Sequence, residues 1–388
     1  MLINRPFWQN LIEKAWEERT IIWLMGVRRV GKTSLCMSLP HVEYFDCERP
    51  SVRELFNDPE GFLAGKAGKR LILDEIHRLD NPSEILKLAA DHYSTVKIIA
   101  TGSSTLGASA KFKDTLTGRK REIWLTPLLL QELANFGSGN LQHRFLFGGL
   151  PSLFSSATVP EEDFKEWIDA YWAKDIQELF SVSKRYSFQK FTELLLAHSG
   201  GQFEASKFTA PCEISRETIN NYLSILEETF VIHIIRPYSS HKPHEIVKAP
   251  KVYGFDTGLT CYAKGWGELR KEDMGLLWEQ CVLNELHAYL QTHDIHYWRN
   301  KRGQEIDFVL QDKKNQKLTV IECKFSTLSS GKEMISAIGT NIEAFRQHYP
   351  QGENYVVASD VDHSFQRKYN DLLITFISPR ELIDRVSR

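Results

Sequence analysis

No pair of cysteines in this chain is spaced as Cys-x-x-Cys. The six present, Cys36, Cys47, Cys212, Cys261, Cys281 and Cys323, are scattered. That excludes the usual zinc frameworks and gives no disulfide scaffold, and a reducing, cytoplasmic compartment is the expectation. No stretch approaches the 18 consecutive apolar residues of a membrane span, so no membrane partner is expected. The first twenty residues lack an apolar run before a cleavage site, so no signal peptide is expected either. Charge of one sign is also missing. With 48 Lys and Arg against 50 Asp and Glu the formal net charge is -2, which excludes a strongly basic nucleic-acid coat but not a local basic groove. Internal repeats and low-complexity segments are absent.

What is present is a soluble globular composition, 42% hydrophobic and 25% charged, over 388 residues, long enough for two or three cores. Phe7, Leu11, Ile12 and Ala15 recur at helical spacing and predict an amphipathic N-terminal helix. The segments 20–25, 42–46, 70–74, 96–101 and 122–128 are short, apolar and β-rich, with helical stretches such as 83–93 between them. This α/β alternation predicts a parallel sheet. A Gly/Ser/Asn cluster at 135–140 marks a boundary, after which the pattern to about 235 is helical. Residues 215–238, the loop 241–250 and the strand 251–256 read as helix, strand, loop and return strand, the outline of a winged helix. Arg216, Lys242, Lys248 and Lys251 are its candidate phosphate contacts, against a lid or oligomerisation module with solvated lysines. The remainder reads as a helix (272–291), strands at 296–300, 305–311 and 318–325, a helix near 332–348 and two closing strands. The expected domains are 1–135, 141–265 and 268–388.

Residues 26–34, GVRRVGKTS, match G-x-x-x-x-G-K-[ST] between a predicted strand and a predicted helix. In such a loop Gly26, Val27, Arg28, Arg29, Val30, Gly31, Lys32, Thr33 and Ser34 wrap the phosphates of ATP. Lys32 reaches the β- and γ-phosphates and Thr33 ligates Mg²⁺. The strand LILDE ends in Asp74, expected to hold Mg²⁺, and Glu75, expected to polarise the attacking water. Ser103, at the tip of the next strand, is the candidate for orienting that water, with a helix N-cap as its competing role. Arg119 precedes the fifth strand and is the candidate to act on a neighbouring subunit's ATP, with a solvated basic turn as the alternative.

Taken with LTGR (116–119), TPLLLQEL (126–133), FGGLPSL (147–153), YWAKDI (171–176), KVYGFDTGL (251–259) and YWRNKRGQEIDFVL (297–310), these segments resemble an AAA+ ATPase of the bacterial and archaeal branch that carries a C-terminal companion domain. The resemblance implies a five-stranded AAA+ core and a homo-oligomer. It supplies no substrate.

Near the C-terminus, Glu279 falls on a helix, Asp307 in a strand, and Glu322 and Lys324 two apart in the next strand, hence on one face. Three carboxylates suit Mg²⁺, or Mn²⁺, and Lys324 suits a water or a developing phosphate charge. The pattern Asp307…Glu322-x-Lys324, with Ile306 where the family name has proline, resembles the PD-(D/E)XK nuclease superfamily. The alternative is an ion-pair cluster, Glu322 with Lys324 or Asp307 with Arg299. His241, His244, His287, His293 and His296 match no zinc spacing and are expected to be exposed, and Tyr297 and Trp298 are expected in a core or lid rather than stacked on bases.

The expected function is Mg²⁺-dependent ATP hydrolysis coupled to cutting of DNA by the nuclease-like domain. The competing readings are a nucleotide switch whose nuclease-like domain only binds DNA or a protein, and a DNA-binding regulator that hydrolyses ATP slowly.

Overall fold

The structure, a computed structural model, describes residues 3–102, 116–180, 182, 184–240, 249–312, 314–327 and 331–387. The chain divides into two compact units, Met1–Gln189 with Asn220–Val231, and Lys190–Ile219 with Ile232–Arg388.

The first unit is built on five strands, β1 (Ile21–Met25), β2 (Val42–Asp46), β3 (Arg70–Asp74), β4 (Lys97–Thr101) and β5 (Lys120–Trp124). All pair in parallel, in the order β2-β3-β4-β1-β5. The strands read as near-continuous apolar runs because both faces are covered. One face packs Ile21, Trp23, Leu71, Leu73, Ile98 and Ala100 against Ile85, Leu86 and Ala89. The latter three lie on a helix, Pro82–His92, whose proline sits in the first turn, where its missing N–H costs nothing. The N-terminal helix α1 (Pro6–Glu18) buries Trp8, Ile12, Ala15 and Trp16. The buried stripe is therefore rotated from the expected Phe7–Leu11 edge toward the two tryptophans, which carry the larger apolar area. The helix α2 (Lys32–Met37) follows β1 through the glycine loop. Farther on, the helix Glu161–Tyr171 passes directly into a π-helical turn, Trp172–Ile176.

The second unit is a nine-stranded mixed sheet. Its strands are β6 (Gly201–Gln202), β7 (Ile232–Pro237), β8 (Lys251–Gly254), β9 (Ile295–Arg299), β10 (Glu305–Gln311), β11 (Leu318–Lys324), β12 (Asn354–Ala358), β13 (Phe365–Tyr369) and β14 (Leu372–Ile377), in the order β13-β14-β12-β11-β10-β9-β7-β8-β6. β9, β10 and β11 form an antiparallel meander, and β12 then joins β11 in parallel after the helix Gly331–Arg346. Ile338, Ile342 and Phe345 of that helix pack on Ile306, Val309, Val320 and Val356. The helix Met274–Leu290 is buried nearly all round, as its long apolar run requires.

The strand-loop-strand expected of a winged helix is present as the antiparallel pair β7–β8, but β7 also pairs in parallel with β9. The hairpin is thus part of the same sheet as 295–377. Among the described residues, the short strand β6, the helix Thr257–Lys264, the exposed strand β13 and the terminal helix Pro379–Val386 went unread in the sequence.

Candidate functional site

The glycine loop is shaped by two glycines, one held by a close backbone approach and both by a positive φ. Gly26 has φ +146°, and a Cβ there would lie 2.4 Å from the Leu125 carbonyl oxygen; Gly31 has φ +98°. Such positions leave backbone N–H groups free to turn inward around an anion. Arg29, with φ +63°, adopts a left-handed conformation that costs a non-glycine residue about 1–2 kcal/mol. Behind the loop, Arg5 holds it in place. Its guanidinium donates twice to the Glu132 carboxylate, at 2.7 and 2.8 Å, and once to the Val30 carbonyl at 3.2 Å. Both partners are buried, which makes the bidentate pair a strong anchor.

Within the loop the Lys32 ammonium donates to the Gly26 carbonyl at 2.8 Å and to that of Val27 at 3.2 Å. Burial lowers its pKa, countered by the carboxylates of Glu75, Asp175 and Asp74. Thr33 and Asp74 are brought together as expected, with the Thr33 hydroxyl donating to Asp74 Oδ2 at 2.8 Å. Asp74 accepts two further hydroxyls that sequence reasoning missed, Tyr44 at 2.7 Å on Oδ2 and Thr101 on Oδ1. Thr101 ends β4 beside Asp74 at the end of β3, so only the strand order reveals it. The expected Ser103 lies outside the described residues.

Glu75 follows with φ +51°, a second left-handed non-glycine residue, and its carboxylate stands 3.2 Å from His77 Nδ1. Burial alone would raise its pKa, but His77, Lys32 and Arg28 outweigh that and hold it below the ordinary carboxylate value. It is therefore ionised at neutral pH, as a group that polarises water must be. Strain of this kind concentrates where function fixes the backbone. Arg28, Arg29, Gly31, Lys32, Thr33, Ser34, Asp74, Glu75 and Asp175 line a common cleft of about 430 Å³. Asp175 is the other residue the sequence did not disclose. It is buried, and it accepts from Arg28 Nε at 2.8 Å. Arg119 makes an exposed pair with Asp91 at 2.7 Å.

The cradle and the acids fit ATP with Mg²⁺. The two glycine positions leave room for phosphates at the start of α2, and Thr33 with Asp74 presents oxygen donors for a hard cation.

The acidic set of the second unit is arranged differently. Glu279, Asp307, Glu322 and Lys324 lie close enough to perturb one another electrostatically. The β9–β10 pairing slips between Ile306 and Val309, at Asp307. Asp307 accepts from the Cys323 N–H at 2.7 Å. Lys324 pairs with Glu322 at 3.1 Å, one of the ion pairs anticipated, whereas Arg299 pairs with Glu305 and not with Asp307. The residue not anticipated here is Lys251. Expected to meet phosphates from a wing, it is 5% exposed, with its ammonium 3.1 Å from Glu279 and 2.6 Å from Glu305. The Tyr253 hydroxyl donates to the same Glu279 oxygen. Among the described residues no group of three or more His, Cys, Asp or Glu side chains converges as a metal-binding cluster. Of the expected Mg²⁺ or Mn²⁺ set, Glu279 has the Lys251 ammonium beside it and Glu322 that of Lys324, while Asp307 adds negative charge next to both carboxyls.

Burial raises the Glu279 and Glu322 carboxyls to about 7 and about 8, with Asp307 adding like-charge repulsion. His287, expected to be exposed, is 2% exposed, and burial pushes its pKa down to about 3. His241 and His244, with Lys242 and Lys248, lie outside the described residues. Tyr297 and Trp298 are core residues, and Arg216 is exposed at the start of its helix.

Comparison with known proteins bears on the first unit. Residues 18–134 match an AAA domain model, residues 138–270 a domain of unknown function (DUF8612) and residues 274–372 another (DUF4143). An uncharacterized protein of Mycobacterium tuberculosis is 26% identical over 325 residues, covering 80% of this chain and 72% of that protein. One of Methanocaldococcus jannaschii is 24% identical over 323 residues, covering 74% and 71%. Among solved structures, the Walker-type ATPase of Pyrococcus abyssi aligns with TM-score 0.46 at 16% identity, over 68% of this chain and 96% of that one. The parallel five-stranded sheet, its P-loop and the AAA match together fit a P-loop ATPase domain of AAA type. Among the described residues no helix is long and apolar enough to cross a membrane.

Proposed function

We propose that this chain binds and hydrolyses ATP with Mg²⁺ and uses the nucleotide state as a switch, its C-terminal nuclease-like domain engaging DNA or a protein partner. The observation that carries the ATPase reading is the hydrogen bond from Thr33 to Asp74 beneath the glycine loop, with Glu75 next in the chain. It joins the two halves of a Mg²⁺-nucleotide site from β1 and β3 in one place. Lys32 and the loop amides bind the phosphates, Thr33 and Asp74 hold the ion, and Glu75 polarises water. Bound Mg²⁺ would neutralise charge on the β- and γ-phosphates. Arg119, freed from Asp91, serves a neighbouring subunit in a homo-oligomer. The test is titration with a fluorescent ATP analogue beside phosphate release. Binding that survives Lys32→Ala, or turnover that survives Glu75→Gln, overturns the assignment.

The switch reading is preferred to DNA cleavage because of Lys251, whose ammonium already balances Glu279 and Glu305. What supports cleavage is the order Asp307, Glu322, Lys324 on a meander followed by a parallel strand. Incubating supercoiled plasmid with the protein and Mg²⁺ or Mn²⁺, with and without ATP, decides between them. Nicking that disappears in Asp307→Asn and Lys324→Ala would restore the nuclease reading.

A further inference from the structure

The cleft of the first unit holds a pair that the ATPase reading does not use. Arg28, from the glycine loop, and Asp175, from the π-helical turn Trp172–Ile176, share a 2.8 Å hydrogen bond, and the Asp175 side chain is only 4% exposed. The turn is tied to the loop a second time, since Trp167 Nε1 donates to the Arg28 carbonyl at 3.0 Å. Arg29 adds an exposed pair with Glu166 at 2.5 Å. A π-turn displaces one residue from helical register and recurs where a side chain must be aimed. Here it delivers a carboxylate into a cleft whose other occupants are phosphate-binding groups. The carboxylate lines the same cleft as Lys32 and Glu75, the residues assigned above to the γ-phosphate and the attacking water. On those assigned roles the pair borders the γ end of the site.

We propose that Arg28 and Asp175 form a γ-phosphate sensor, in which ATP, but not ADP, takes Arg28 from Asp175 and releases the Glu161–Ile176 segment from the loop. The inference rests on the ATP-binding reading above. Arginine pairs with carboxylate and phosphate through the same planar fork, so the γ-phosphate is a direct competitor for it. Once there, the γ-phosphate also repels the Asp175 carboxylate. ADP lacks the group that competes and leaves the pair intact. The loosened segment has a defined neighbour within the unit. Tyr171, one turn before Asp175, hydrogen-bonds Thr229 at 2.6 Å, and Thr229 directly follows the helix Arg216–Glu228 and lies three residues before β7 in the chain.

The full chain is titrated calorimetrically with Mg·ATPγS and Mg·ADP. Asp175→Asn should tighten ATPγS about tenfold and leave ADP within about twofold, the size of an ordinary coupling. Arg28→Gln should weaken ATPγS by a similar factor, spare ADP, and mask the effect of Asp175→Asn in the double variant. Equal changes for both nucleotides would mean that the pair only supports the fold, and would overturn the proposal. A measurement on the wild-type protein stands whether or not the variants fold. Amide hydrogen exchange over residues 161–176 should be faster with Mg·ATPγS than with Mg·ADP, and equal exchange refutes the sensor. If wild-type protein binds neither nucleotide, the ATPase reading has failed and the sensor with it. If it binds both while exchange and preference do not differ, only the sensor has failed.

Discussion

The two acidic sites of this protein use the same residue types to opposite ends. At the end of β3, Asp74 takes hydroxyl donors from Thr33, Tyr44 and Thr101, and Asp74 and Glu75 border an open cleft of about 430 Å³. These three donors are neutral hydroxyls, and the charged group set against Asp74 and Glu75 is the Lys32 ammonium. Around Glu279, Glu305 and Glu322 the counter-charges are Lys251 and Lys324, both carried by the chain itself. There the chain's own ammonium groups stand beside the acids, yet Glu279 and Glu322 keep raised pKa values under repulsion from Asp307. Counting acids in a sequence does not separate these cases. The partner that neutralises them does.

The sharpest break in the comparison is at the P-loop. Lys32→Ala should lower nucleotide affinity by about a hundredfold or more through loss of a charge-assisted contact, measured with a fluorescent ATP analogue. Glu75→Gln should keep binding and slow phosphate release by about 10²–10⁴-fold, the range for loss of a general base. Next is Lys251→Met, which leaves Glu279 and Glu305 without their counter-charge. It should destabilise the second unit by about 3–5 kcal/mol, read by denaturant unfolding, because a half-broken buried pair is worse than none. Added Mn²⁺ should recover part of that loss in the variant and do little for wild type; equal gains in both would erase the distinction between the two sites.

A smaller effect follows from Glu279 and Glu322, whose folded values of about 7 and about 8 lie above the ordinary 4.5. Between those limits the native state holds protons that the unfolded chain has shed. Their contribution is full below about pH 4.5 and is lost as pH rises through 7 and 8, so stability falls across that window. Melting curves from pH 5 to 9 should show the decline, and Glu322→Gln should flatten it. The smallest effect is expected at Arg119, whose pair with Asp91 is exposed. Arg119→Ala should leave the melting temperature unchanged. Mixing it with Lys32→Ala protein should restore part of the turnover if Arg119 acts between subunits, and no recovery in proven mixed assemblies would remove that role.

Much of this was legible because it was local. A glycine pattern between a strand and a helix located the loop, and a run of apolar residues ending in two acids located Asp74 and Glu75. The rest depended on pairing that leaves no local trace. Thr101 and Tyr44 reach Asp74 only because β4 and β2 flank β3. Asp175 and Arg28 are 147 residues apart. Lys251 looked like an exposed basic residue beside a proline loop, and it became a buried counter-ion because β8 pairs with β7 and β7 with β9. β13, FQRKY, has almost no buried residue and so no apolar pattern to betray it. The position of its buried stripe, set by Trp8 and Trp16, was the only part of the N-terminal helix misplaced.

The segment Asn220–Val231 belongs to the first unit although residues 190–219 do not. Every strand of the parallel sheet has been synthesised by Trp124, yet that residue stacks near Phe230, 5.0 Å between ring centres, and Tyr171 waits for Thr229. During translation, at about 5–20 residues per second, the nucleotide-binding sheet is therefore out of the ribosome several seconds before the aromatic groups that complete its unit. For that interval Trp124 lacks its contact with Phe230, and a nascent chain stalled between residues 133 and 220 would carry the phosphate loop and its Glu132 anchor on an incomplete body.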